Sequence, residues 1–162
     1  MNLQSPTFTL ETVLVTASDK RMALADWLDI YASQQPRVIY IGTDSQQAAG
    51  VTKFTTVIVS YEPRHGGTYA FIRFKTRRID ALRERLLAEA WKSVELALTV
   101  APRIPKDTKI AVHLDVNESL RFKSGKYAGD LVALVTAQGF DAEIKPKAFA
   151  ASTLADALVK HY

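Results

Sequence analysis

Three strand-like runs with almost no chain between them constrain this fold more than any other feature of the sequence. They occupy residues 37–44, 52–62 ("TKFTTVIVSYE") and 67–76 ("GTYAFIRFKT"), rich in the β-branched and aromatic residues that suit a pleated surface. The links "SQQAAG" and "PRHGG" are too short for a crossover, so neighbouring strands must run antiparallel as a meander. The period then changes. Residues 80–100, "DALRERLLAEAWKSVELALTV", repeat their apolar positions at helical spacing and stop before Pro102 and Pro105. A strand over 109–116 ("KIAVHLDV") follows, then a helix near 125–138 between Ser124 and Gly139, a short strand in "FDAEIKP" and a closing helix in "ASTLADALVKHY". Strands separated by helices join in parallel through right-handed crossovers.

The expected fold class is therefore α/β: a five-stranded mixed sheet, β-β-β-α-β-α-β-α, with helices on both faces. Ahead of it, residues 1–16 read as an extended or irregular lead-in. "SDKRMALADWLDIYASQQP" reads as an extra N-terminal helix over 18–34, capped by Ser18 and closed by Pro36. This gives an N-terminal extension over 1–36 and a main domain over 37–162, packed as one compact unit. Trp27 and Tyr31 suit either a cover for the sheet or a homodimer contact, and periodicity does not choose between them.

Composition removes several chemistries. The 162 residues include no cysteine, which excludes disulfides, thiolate zinc sites and cysteine nucleophiles. The three histidines, at 65, 113 and 161, are too scattered for a histidine-based centre. A resident metal would need oxygen ligands, which points to Mg²⁺ or Mn²⁺. There is no run of apolar residues long enough for a membrane span and no secretory pattern at the N-terminus, so a cytoplasmic location is expected. The net charge of +4 permits a polyanionic partner without requiring one.

Four acids stand out from the rest. At about 100° per residue, Leu82, Leu86, Ser93, Leu96 and Val100 fall on one stripe of the long helix, and Glu89 projects into its middle. A glutamate there needs a basic partner or a bound cation. Asp44, after "VIYIGT", and Asp115, after "IAVHL", each end an apolar strand; each suits an Asx turn or a ligand role. The first and fourth strands can be parallel neighbours, and their carboxyl ends would then lie side by side, where open α/β sheets bind ligands. Two carboxylates so placed repel unless a proton or a divalent cation lies between them. Asp156, in the last helix, suits a solvent-facing pair with Lys160 or a fourth ligand. His113 shares a strand face with Asp115, which suits a packed core histidine or a proton-transfer group.

An acid on the first strand, a glutamate on the helix after the meander, an acid on the fourth strand and an acid on the last helix together resemble the RNase H-like superfamily over about residues 37–160. The stretches "IGTDSQ" (41–46), "LRERLLAE" (82–89), "HLDV" (113–116) and "IKPKAFAAS" (144–152) resemble the YkuK-type proteins, a largely uncharacterised family assigned to that fold. The resemblance implies Asp44, Glu89, Asp115 and Asp156 as catalytic, metal-binding acids. The passage "KPKAFAAST" has no histidine and no basic insertion, which separates this chain from RNases H that act on RNA–DNA hybrids.

Such oxygen ligands suit two Mg²⁺ ions roughly 3.5–4 Å apart at a phosphodiester, with Asp44 bridging, Asp115 and Glu89 on one ion and Asp156 on the other. Ser45 and Asn117 are expected to orient water or a phosphate oxygen. Lys145, Lys147 and Ser152 are expected at the substrate, the lysines reading equally well as plain surface residues. Two basic groupings, Lys75/Arg77/Arg78 and Arg121/Lys123/Lys126, suit a nucleic-acid backbone. Phe122 and Tyr127 beside them suit either base stacking or the core, and Phe74 the core. The expected function is a divalent-metal-dependent nuclease or related phosphodiester-processing enzyme. The alternative is an inactive module of the same fold that binds nucleic acid or a protein partner.

Overall fold

The computed structural model describes residues 3–34 and 37–161, with Ala151 and Ser152 described by their backbone alone. Its centre is the expected meander, of strands β3 (Val38–Ala48), β4 (Val51–Glu62) and β5 (Gly66–Arg77). β4 lies between the other two, and its residues from Phe54 to Ser60 are all buried, as a strand covered on both faces must be. β6 (Lys109–His113) joins β3 in parallel, and β7 (Asp141–Glu143) joins β6 in parallel.

The sheet has seven strands, not five. The two additional ones, β1 (Val13–Thr16) and β2 (Arg21–Ala23), form a hairpin that adds to the free edge of β5, giving the order β2-β1-β5-β4-β3-β6-β7. The expected helix over 18–34 is correspondingly shorter: α1 spans only Leu24–Tyr31. Ser18 is not its cap. It lies in the hairpin turn, where Asp19 takes a φ of 60° and the Thr16 hydroxyl accepts the Lys20 N–H at 3.1 Å. Pairing with β5 decides this segment against its helical pattern.

α2 (Leu82–Val100) forms as expected; α3 (Ala128–Ala137) starts three residues later than expected, after a 3-10 turn at Gly125–Tyr127 in which Ser124 makes no capping hydrogen bond, and it is followed by Gly139 with a φ of 86°. α1, α2 and α3 cover one face: Trp27, Leu28, Leu86, Val94, Leu96, Leu131 and Val135 pack on Ile39, Ile41, Phe54, Ile58 and Phe74. The rings of Phe54 and Phe74, cross-strand partners, stack at 5.0 Å. Trp27 is wholly buried within its own chain, so α1 covers the sheet. On the other face, Val57, Val59 and Phe71 meet Ala150 and Ala155 of a π-helical segment (Ala150–Ala155) that runs into α4 (Asp156–Lys160). No helix among the described residues is long and apolar enough to cross a membrane.

An N-terminal strap closes over α2. The Phe8 N–H donates to Glu95 Oε1 at 2.8 Å, and Lys92 Nζ donates to the Pro6 carbonyl and pairs with Glu95. The Lys92 ammonium also lies 3.9 Å from the centre of the Phe8 ring. A lysine 5% exposed is tolerated because every direction it faces offers an acceptor or a π face.

Candidate active site

β3 does not stop at Asp44. It continues to Ala48, and Asp44 pairs with Thr55 of β4. The expectation that Asp44 lies at a strand end is corrected: polar residues 44–47 look like a turn in sequence but have a full ladder partner in β4. What ends there is β6. Its last pairing is Gly42↔His113, and both Asp44 and Asp115 lie two residues beyond it. The sheet therefore opens between the two aspartates; alternation along β3 puts Asp44 on the α4 face, while Asp115 sits in a bend just past the end of β6.

Glu89 approaches from the other face, on α2. A hydroxyl chain fixes that helix against β3. Thr43 Oγ1 meets Thr56 Oγ1 at 2.9 Å and Ser93 Oγ, one turn past Glu89, at 2.8 Å. One residue further along β3, Ser45 Oγ donates to Glu89 Oε1 at 2.5 Å. Thr43, Glu89, His113 and Asp115 line a cavity of about 10 Å³, scarcely room for one water molecule.

The π-helical segment and the α4 helix it runs into are each tied to the sheet. The Ala150 N–H donates to His113 Nδ1 at 3.0 Å, and Arg73 donates to the Leu158 carbonyl at 2.6 Å. His113 is 1% exposed, and its other nitrogen, Nε2, faces Glu143 Oε2 at 3.1 Å. With Nδ1 accepting a hydrogen bond, the ring is neutral with its proton on Nε2. Burial pushes His113 below the usual histidine range, in keeping with that state. Its place is to seat the helix that carries Asp156.

Asp44 and Glu89 are both buried. Burial pushes Asp44 up to about 7; the Asp115 charge adds to this and Asp156 adds less. Burial pushes Glu89 up to about 8, helped by Asp44 and then Asp115. Arg85, one turn before Glu89 on α2, opposes both shifts. The four acids thus share one electrostatic neighbourhood. They do not, however, form a ready cage: among the described residues no three His, Asp or Glu side chains are grouped to hold a metal ion. Three of the acids have partners of their own. Ser45 holds Glu89 on the α2 side, Lys145 Nζ pairs with Asp115 Oδ1 at 2.6 Å, and Lys160 Nζ pairs with Asp156 Oδ2 at 2.7 Å. The Lys145 contact is one of charge, without hydrogen-bond alignment at Oδ1.

The remaining expected residues divide. Asn117 Oδ1 accepts the Ser119 N–H at 2.9 Å and shapes a turn. Lys123 is exposed on the loop after it. Lys145 and Lys147 line an open cleft of about 460 Å³ with Asn117 and Glu143. The Ser152 side chain lies outside the described residues. Sequence reasoning missed Arg73 and Arg85; the four-residue step from Arg85 to Glu89 was the available signal for the latter.

The ribonuclease H-like family model matches residues 26–160. The chain belongs to the ribonuclease H-like family. Among solved structures, this ribonuclease H-like chain is similar to the N-terminal RNase H domain of Rv2228c from Mycobacterium tuberculosis, solved as a fusion with maltose-binding protein. That likeness is 14% identity over 78% of this chain and 96% of the other, with a TM-score of 0.33. No curated protein matches.

Proposed function

We propose that this ribonuclease H-like protein is a divalent-metal-dependent nuclease or a related phosphodiester-processing enzyme acting on nucleic acid, with Asp44, Glu89, Asp115 and Asp156 as its acids. The observation that carries the reading is the pair Asp44 and Glu89. Both are buried, and both are pushed toward neutrality by burial and by the charges of their acidic neighbours. Such a pair costs stability in the free protein, and a site for a cation explains its presence. The donor set is all oxygen, which suits Mg²⁺ or Mn²⁺. Thr55 Oγ1, in the same ladder row as Asp44, is buried without a hydrogen-bond partner. When bound, such ions supply charge stabilisation and an activated water at a phosphodiester. Asp44 and Asp115 hold the opening between β3 and β6, Glu89 supplies its carboxylate from α2, and Ser45 orients Glu89. The motifs "IGTDSQ" and "IKPKAFAAS" support a place among the YkuK-type members.

Lys145 has two parts in this reading. It pairs with Asp115 in the free chain, and with a cation held by the acids it would be released to offer its ammonium to a substrate phosphate. Lys145→Gln is expected to tighten Mn²⁺ binding by up to about fivefold, read from the Mn²⁺ concentration that raises the thermal midpoint. Unchanged or weaker Mn²⁺ binding would count against this role.

The competing reading is an inactive module that binds nucleic acid, and the lysine pairs on Asp115 and Asp156 favour it. Labelled single-stranded, duplex and hybrid substrates, incubated with Mn²⁺, separate the two. Cleavage that Asp115→Asn removes supports the enzyme; binding without cleavage supports the module.

A further inference from the structure

The loop between β6 and α3 presents two large apolar side chains to solvent. Leu120 is 83% exposed and Phe122 56% exposed. Exposure on this scale usually marks a slack loop, but this one is tightly built. The Ser119 N–H bonds the Asn117 side chain, the Phe122 N–H bonds the Ser119 carbonyl, and the Gly125 N–H bonds the Phe122 carbonyl at 3.0 Å. Gly125 is buried so close to the Ser119 carbonyl that a Cβ there would lie 2.2 Å from its oxygen. Only glycine permits that closure. A fixed backbone therefore holds Leu120 and Phe122 outward, at a conformational cost that their exposure does not repay within the chain.

Arg121, Lys123 and Lys126 flank them, all exposed, and none forms an ion pair among the described residues. The one acid of the stretch 118–127 is Glu118. The loop begins two residues after Asp115. Three cations outside any ion pair, Lys126 lying 4.9 Å from the centre of the Tyr127 ring, are interleaved with apolar side chains on a loop that leaves Asp115, and together they suit a ligand that is both polyanionic and able to cover apolar surface. A duplex supplies the charge but hides its base faces. A single strand supplies both.

We propose that the 117–127 loop is a platform for single-stranded nucleic acid, with Phe122 stacking on an unpaired base, Leu120 packing beside it, and Arg121, Lys123 and Lys126 meeting the phosphates. This rests on the nucleic-acid reading above and deepens it by naming the substrate class: strands with unpaired bases next to the cleaved bond.

The test is fluorescence anisotropy of the full chain with a labelled single strand of about 15 nucleotides and with the duplex of the same sequence, in EDTA so that nothing is cut. Phe122→Ala is expected to weaken single-strand binding roughly tenfold, Phe122→Tyr to retain it, and duplex binding to change little in either. Because the side chain is exposed, the thermal midpoint should not move. Three results would overturn the platform: a Phe122→Ala variant that binds the strand as wild type does, an equal loss on the duplex, or a loss confined to binding of phosphatidylserine–phosphatidylcholine vesicles, which would make the loop a membrane contact. Absence of any wild-type strand binding also overturns it. The nuclease reading falls separately, only if Mn²⁺-dependent cleavage of every substrate is absent too.

Discussion

Asp44→Asn is expected to abolish Mn²⁺-dependent cleavage, by at least about a hundredfold, and at the same time to make the metal-free protein more stable. The two effects have one cause. Asp44 has a ladder partner in β4, lies beyond the last row of β6, and carries a carboxyl raised from 3.8 to about 7. A shift of that size at a buried group corresponds to roughly 4 kcal/mol of destabilisation once the group is ionised. Asparagine keeps the shape, keeps an acceptor for the Ser45 N–H, and removes the charge. The metal-free midpoint near pH 8 should then rise by about 8–16 °C, while the further rise on adding Mn²⁺ disappears. A drop in the metal-free midpoint would show that the carboxylate is structurally required. Unchanged cleavage would remove Asp44 from the chemistry.

The second large effect is on pH. Asp44 and Glu89 both have folded-state values above their ordinary ones, about 7 against 3.8 and about 8 against 4.5. The folded chain therefore holds more protons than the unfolded one in that range, and its stability falls as pH rises through 7 and 8. His113 acts in the opposite sense. Its folded value is lowered below 6.5, so stability is lost as pH falls below 6.5 and the ring must give up the Ala150 N–H. Above 6.5 only the acids matter. Between pH 6.5 and about 8.5 the metal-free protein should lose roughly 2–3 kcal/mol, or about 5–10 °C in thermal midpoint. Mn²⁺ should cancel most of that fall, and a double variant, Asp44→Asn with Glu89→Gln, should show a flat profile. A wild-type midpoint that is level or rising over this range would mean that the two carboxyls are solvated and that no cation is needed between them.

Much of this architecture was legible in the sequence. The meander, α2 and the parallel return of β6 follow from period and link length, because those signals are local. Glu89 was legible for the same reason, as a charge in an apolar stripe. Strands β1 and β2 were not: four and three residues long, they exist by pairing on β5, and "SDKR" in isolation favours a helix start. The length of β3 was hidden because "DSQQ" has turn composition, and only its partners in β4 reveal a strand. Two contacts around the site, one on an acid and one on the helix that carries another, were invisible as well. Lys145 with Asp115, and Arg73 with the Leu158 carbonyl, join residues distant in the chain, and a long basic side chain in sequence looks like any solvated one.

The strap over α2 has a consequence for the order of assembly. Phe8 and Glu95 are 87 residues apart in the chain, and Pro6 and Lys92 are 86 apart. During synthesis the first ten residues therefore emerge long before anything exists for them to grip, and β1 must likewise wait for β5. Sequence separations of this size place their docking late and slow the final consolidation of the chain. Until that clasp closes, Lys92 lacks the Pro6 carbonyl and the Phe8 ring, and the hydrated ammonium keeps the middle of α2 open to water.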